Sequence, residues 1–190
     1  AGLYAAVAIN AALADRERTG EGRVIDVSML DCQLAMLSYQ SAYALIAGVT
    51  PEHQGAGHDS IPTYRSFTGG DGRELVVTAN TEKMWQGLCH TLGVEQLIGD
   101  DRFLDGKLRH QNREALWEIL EEAFLADNAS SWVDRLVAAD VPAALIKNVP
   151  ESLQDARESG RGMVVPMSDS HHQIEVVGNP IHFPGEDASN

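Results

Sequence analysis

The stretch RERTGEGRVIDVSMLD, Arg16–Asp31, narrows the possible folds more than any other part of the chain. A charged, glycine-broken turn runs into the alternating, Val- and Ile-rich segment RVIDVSM, and that segment runs directly into residues with helical spacing. Upstream, Leu3, Val7, Ile9 and Leu13 recur among many alanines, which predicts a well-buried helix over Ala1–Arg18 ending near Thr19 and Gly20, where glycine takes the left-handed cap. RVIDVSM reads as a strand, with Asp26 and Asp31 on its flanks; Asp31 caps or opens the next helix, which runs to Gly48, before Pro51. Helix, strand and helix in such short order make an α/β unit. The first helix has no capping residue ahead of it, an opening that predicts a chain cut from something longer.

The texture then changes. GVTPEHQGAGHDSIPTYRSFTGGDGR has no helical period, and is the longest irregular segment of the chain. Tyr64 and Phe67 are aromatic anchors that favour order in it. ELVVTAN reads as a strand, and TEKMWQGLCHTLG as a helix with Thr81 as N-cap and Glu82 in its first turn. NREALWEILEEAFLA and SSWVDRLVAAD are amphipathic helices, the second opened by its serines, and VPAALIKNVPESLQDAR offers a short strand and a short helix. The tail reads as two strands around a polar turn, followed by a proline-rich trailing segment.

Composition excludes some partners. With 190 residues, 44% of them hydrophobic, the chain can bury a core. A formal net charge of −14 argues against nucleic acid and anionic membrane surfaces, both of which need clustered Lys and Arg, and against this chain alone gripping a highly phosphorylated ligand. No run approaches the roughly 18 apolar residues that span a bilayer, so a soluble, cytoplasmic protein is expected. Cys32 and Cys89 sit in apolar helical patterns without a second ligand at metal spacing and read as buried, reduced thiols.

Few residues carry chemistry by spacing alone. Gly55, Ala56, Gly57 and His58 form a small-residue loop through which backbone can approach a ligand closely, or a plain solvent loop. No Lys-Ser or Lys-Thr follows it, so it is no phosphate loop. Glu82 is a candidate general acid or base, although a carboxylate in a helix's first turn is favoured by the dipole whatever its role. His171 and His172 lack the spacing of a helical metal pair, and no metal site is expected. His58 and His90 stand without an evident Ser, Cys or Asp partner. GxSxG, HExxH, CxxC and GxGxxG are all missing.

AGLYAAVAINAALADRERTGEGRVIDVSMLDCQLAML nevertheless resembles the class III CoA-transferases, the CaiB/BaiF family, in which an Ala-rich helix, an R-x-R-T-G-x-G turn and a (V/I)DVSM junction follow in this order. HQGAGHDSIPTYRSFTGGDGRELVVTANTEKMWQGLCHTLG, DDRFLDGKLRHQNREAL, VPAALIKNVPESLQD and GNPIHFP extend the resemblance over nearly the whole chain. It implies an α/β fold comprising part of a Rossmann-like large domain (1–50), a linker with the Gly-rich loop (51–70), a small α+β domain (71–141) and a return segment toward the large domain (142–190), in an interlocked homodimer. It also implies an enzyme moving coenzyme A between an acyl-CoA and a small carboxylic acid, with no permanently bound cofactor. An aspartate carboxylate attacks the thioester to give a mixed anhydride and then an aspartyl-CoA thioester, which the acceptor acid attacks in turn. A mobile glycine-rich loop, at Gly55–His58 here, covers these intermediates against water, although the family's best-known form is a longer glycine run. The nucleophile would precede the glycine matching Gly2, so the resemblance places no catalytic residue of the transferase in this chain, and this piece alone would be inactive. A racemase branch that moves the α-proton of methylacyl-CoA esters has a glutamate where Glu82 falls. Ile61-Pro62-Thr63-Tyr64 departs from that branch's Gly-x-Pro-(F/Y)-Tyr pattern, so the transferase reading leads. A non-catalytic folding or dimerisation module is the reading from a different class.

Overall fold

The computed structural model describes residues 1–168 and 173–182 and divides the chain into two compact units, Ala1–His53 and Gln54–Asn190. The polar turn with His171 and His172, and the trailing segment from residue 183 on, lie outside the described residues.

In the first unit, α1 (Gly2–Thr19) ends at Gly20, whose φ of 77° is the left-handed cap expected there, its N–H bonding back to the Arg16 carbonyl. The expected burial is not found. No α1 residue is buried, and Leu3 is 85% exposed. RVIDVSM is not a strand either: residues 21–28 form no ladder, because a strand exists only through a pairing partner and none is present among the described residues of this unit. Ser28, not Asp31, caps α2 (Met29–Met36), its hydroxyl accepting the Asp31 N–H at 3.2 Å. The single helix expected up to Gly48 is broken at Ser38, whose φ of 50° ends α2 and lets α3 (Tyr39–Leu45) start in a new direction.

The second unit holds the core. Its sheet runs β1 (Arg65–Thr68), β2 (Glu74–Val77) and β3 (Ala143–Leu145), antiparallel throughout, so its outer strands come from either side of residues 71–141. β1 lies within the stretch read as irregular; four residues are too few for alternation to show against neighbouring glycines. Phe67 pairs opposite Leu75, and Leu75 opposite Leu145, so these side chains share one face. Onto that face pack α4 (Glu82–Leu92), α6 (Arg113–Phe124) and α7 (Ala129–Ala138), each burying one stripe: Trp85, Leu88, Cys89 and Leu92; Leu116, Leu120 and Phe124; Ala129, Trp132 and Leu136. Phe124 stacks on Phe67 at 4.5 Å and meets Trp132 edge-on.

Asn128, rather than a serine, caps α7, accepting the Ser131 N–H at 2.8 Å. Thr81 caps α4 as expected. Two elements too short to show a period in the sequence join these helices: a 3-10 turn at Glu95–Gly99, and α5 (Gly106–Gln111), which Asp105 caps. Beyond β3, α8 (Val149–Glu158) opens with a capping box between Asn148 and Glu151. β4 (Val164–Ser168) and β5 (Gln173–Val177) form a separate antiparallel pair, the two strands expected of the tail.

The turn between β1 and β2 presses against the α6–α7 connection. A Cβ on Gly70 would stand 2.5 Å from the Leu125 carbonyl oxygen, a backbone atom that cannot yield cheaply. Gly70→Ala is therefore expected to cost about 1–3 kcal/mol, read as a lower urea midpoint at constant slope. Both cysteines are free and buried, as expected, and burial pushes the Cys89 thiol from 9.0 up to about 12. Its folded form stays protonated where the unfolded chain ionises, so this residue's contribution to stability falls as pH rises above 9 and through the folded value near 12. At pH 8, a thiol reagent is expected to leave Cys89 unmodified until denaturant is added.

Candidate functional site

The small-residue loop is the outer arm of a short hairpin. The Ser66 N–H donates to the Ala56 carbonyl at 3.1 Å and the His58 N–H to the Tyr64 carbonyl at 2.8 Å, which lays Ala56–His58 antiparallel to the start of β1. A Cβ at Gly57 would meet the Arg65 Cβ at 3.4 Å, no closer than ordinary van der Waals contact, whereas Gly55 takes a φ of 62° that glycine adopts freely. Each of the two bonds is worth about 1 kcal/mol net.

The far end of the hairpin is tied to its surroundings by side chains. The Trp117 Nε1–H donates to the Pro62 carbonyl at 2.7 Å, and the buried Thr63 hydroxyl donates to the Ala79 carbonyl at 2.8 Å. His110 Nε2 lies 2.8 Å from the Asp59 carbonyl oxygen; a carbonyl only accepts, so this nitrogen carries the proton. Arg65, opposite Val77 at the rim of the sheet, lays its guanidinium over the Trp117 ring at 4.3 Å and pairs with Glu121 at 2.9 Å.

His58 does have the partners that had not been evident in the sequence, and they are its immediate neighbours. Its Nδ1 lies 3.3 Å from the Ser60 N and Oγ and 3.1 Å from Asp59 Oδ1, while the ring stacks on Tyr64 at 5.6 Å. A neutral ring accepts from Ser60 through that nitrogen; a protonated one donates it to Asp59. The buried Asp59 Oδ1 has no hydrogen-bond partner, so its closeness to His58 is an ion pair only in the protonated form. His90 Nδ1 meets the Gln86 carbonyl one turn back along α4 at 2.6 Å.

Glu82 is more than half exposed at the start of α4, and both of its carboxylate oxygens are taken by Arg109 of α5. Arg109 itself is buried, donates to the Phe103 carbonyl at 2.9 Å, and lies 4.9 Å from the centre of the Trp85 ring. The carboxylate thus holds a buried cation in place. Just before α5, hydrogen bonds from Arg102 hold the Asp100 carboxyl down to about 2. One short helix therefore grips both candidate features, Glu82 through Arg109 and the hairpin through His110. Sequence reasoning missed it because six residues show no periodicity; the Asp105-Gly106 cap was the available signal. No cluster that could hold a metal occurs among the described residues, and none of their helices is long and apolar enough to cross a membrane.

The pattern of the family described as CoA-transferase family III matches residues 1–189. The chain belongs to that family. It is 33% identical over 185 residues to an acyl-CoA transferase of Fusarium pseudograminearum, covering 96% of this chain and 40% of that protein. It is 32% identical over 183 residues to the succinyl-CoA:glutarate CoA-transferase of Mus musculus, covering 96% and 42%. A CaiB/BaiF family protein from Brucella suis superposes with a TM-score of 0.81 at 31% identity, over 98% of this chain and 48% of that one. The mixed α/β fold is thus that of the CaiB/BaiF proteins, and the chain spans less than half the length of each of these relatives.

The Glu82–Arg109 pair is asymmetric, and variants of the family III chain expose the asymmetry. Arg109→Ala leaves the Phe103 carbonyl unpaired in the core and is expected to cost about 2–3 kcal/mol in chemical denaturation. Glu82→Gln, at an exposed carboxylate that keeps an oxygen for Arg109, is expected to cost about 1 kcal/mol or less.

Proposed function

We propose that the polypeptide containing this chain transfers coenzyme A from an acyl-CoA donor to a small carboxylic acid, through an aspartyl-CoA thioester. The observation that carries this reading is the family match over residues 1–189, with relatives described as acyl-CoA and succinyl-CoA:glutarate CoA-transferases. The aspartate carboxylate attacks the donor thioester, expelling CoA thiolate and leaving a mixed anhydride. The thiolate attacks the aspartyl carbonyl and releases the donor acid. The acceptor carboxylate then attacks the aspartyl-CoA, and the thiolate returns to the acceptor's acyl carbon, freeing the aspartate. Each step exchanges acyl derivatives of similar energy.

In this reading the chain is the C-terminal portion, and the nucleophile and most contacts to the CoA nucleotide come from the rest of the polypeptide. Two observations support the division: the chain spans less than half of its relatives, and the helices of Ala1–His53 leave Leu3, Leu45 and Ile46 at 85% exposure or more, apolar surface that calls for a covering partner. A net charge of −14 also suits a piece that leaves phosphate binding to other segments. The Gly55–His58 arm, which lies antiparallel to the start of β1, is the part that covers the anhydride against water. Glu82 serves here as the anchor of Arg109, not as an acid or base. The assembly is a cytoplasmic homodimer of interlocked chains.

Full-length protein incubated with succinyl-CoA and glutarate is expected to form glutaryl-CoA and to carry a protein-bound CoA thioester that borohydride reduces. Residues 1–190 alone are expected to show neither. Turnover by the isolated residues would overturn the division, and a full-length enzyme that never carries bound CoA would overturn the mechanism. Deuterium entering the α-carbon of an (R)-2-methylacyl-CoA in heavy water would replace transfer with racemisation.

A further inference from the structure

We propose that Arg65 binds the second carboxylate of a small dicarboxylic acid, so that the acid this enzyme activates carries a carboxylate at each end. The proposal rests on the transferase reading for its consequence, but the anion site itself does not. Arg65, the first residue of β1, has a side chain only 18% exposed, yet its Nε is buried without a hydrogen-bond partner. Its ion pair among the described residues, to Glu121 of α6 at 2.9 Å, ends on a carboxylate that is half exposed. Arg109 shows what a buried guanidinium otherwise obtains in this unit: both carboxylate oxygens of Glu82 and the Phe103 carbonyl. A guanidinium withdrawn from water without such partners keeps the capacity to bind an anion.

The geometry suits a carboxylate. The Arg65 guanidinium lies over the Trp117 ring at 4.3 Å, and that ring is fixed by its Nε1–H bond to the Pro62 carbonyl. A guanidinium on an aromatic face keeps its edge for two parallel N–H donors, the fork that matches a planar carboxylate. Arg113 approaches the same ring at 6.0 Å, which sets a second positive charge beside the first in a chain of net charge −14. Gly57 is bridged to Arg65, and a Cβ there would rest on the Arg65 Cβ at 3.4 Å; glycine leaves that space open on the face from which the Arg65 side chain departs. Glu121 holds the guanidinium in this structure. A ligand carboxylate that takes its place exchanges one such pair for another, so entry costs little electrostatic energy. In CoA transfer the reacting carboxylate of the acid must stay a nucleophile, and a cation clamped on it would draw off its charge. A fixed guanidinium therefore serves the carboxylate at the other end, and an acid with one carboxylate has nothing to offer it.

The test is made on the full-length protein with glutarate and butyrate as paired probes, read by calorimetry and by KM and kcat for CoA transfer from succinyl-CoA. The two halves of the ion pair are expected to act in opposite directions. Arg65→Gln removes the cation and is expected to weaken glutarate binding on the order of tenfold, with the loss in KM rather than kcat and the preference for glutarate over butyrate reduced by the same factor. Arg65→Lys, a point charge without the fork, is expected to fall between. Glu121→Gln removes the competing carboxylate and is expected to tighten glutarate binding. A pair that only ties β1 to α6 gives both residues the same sign, so glutine-for-charge variants that lower the unfolding midpoint and weaken glutarate alike overturn the proposal. An Arg65→Gln protein that keeps the parent's preference, or a parent that does not prefer glutarate to butyrate, overturns it as well. The two possible failures are distinguishable: Arg65-dependent glutarate binding by a protein that transfers no CoA supports the site and overturns the transferase reading, and CoA transfer with an unchanged preference in Arg65→Gln does the reverse. If Arg65→Gln fails to fold, Glu121→Gln decides: tighter glutarate binding supports the proposal, and unchanged or weaker binding overturns it.

Discussion

The Gln54–Asn190 unit depends on burying one face of β2. Leu75 and Val77 have no solvent exposure, and a strand this short has a dry face only if helices cover it from above and paired strands flank it. The stripes of α4, α6 and α7 supply the cover; β1 and β3 supply the pairing and the matching residues Phe67 and Leu145. Each large side chain placed there contributes about 1.5–3 kcal/mol, which makes this face the main source of the unit's stability. The positions of the loops follow from it. The β1–β2 turn touches the α6–α7 connection because both ends must converge on Phe67 and Phe124, and only glycine at position 70 lets them meet.

The candidate site is a secondary consequence of that packing. Trp85 must be buried for α4 to dock, and a cation lies over its ring. Arg109 supplies the cation, and its own burial demands Glu82 and the Phe103 carbonyl as partners. α5 is thereby fixed, and with it His110 and the root of the small-residue arm. A chain of contacts runs from the core out to the hairpin, from the Trp85 ring through Arg109 and α5 to the Asp59 carbonyl.

The Ala1–His53 unit obeys a different balance. Local signals end α1 at Gly20 and open α2 at Ser28, yet apolar side chains such as Leu3, Met29 and Leu45 are exposed. Local signals can set where a helix begins and stops. They cannot provide the surface against which it is buried, nor the neighbour that turns an extended RVIDVSM into a strand.

By itself the sequence determined the long amphipathic helices, the Thr81 cap, the two buried thiols and, through motifs spread along its length, the family. These are legible because they depend on local periodicity, on caps within three or four residues, or on residue order. Tertiary structure alone decided that RVIDVSM stays unpaired, that β1 emerges from the glycine-rich stretch, that Glu82 is spent on Arg109, and that His110 reaches back to Asp59. Each of these is a contact between residues far apart in the chain or the lack of one, formed where packing brings them together. Spacing along the chain carries no record of such meetings, because burial and pairing belong to surfaces that exist only after the core has closed.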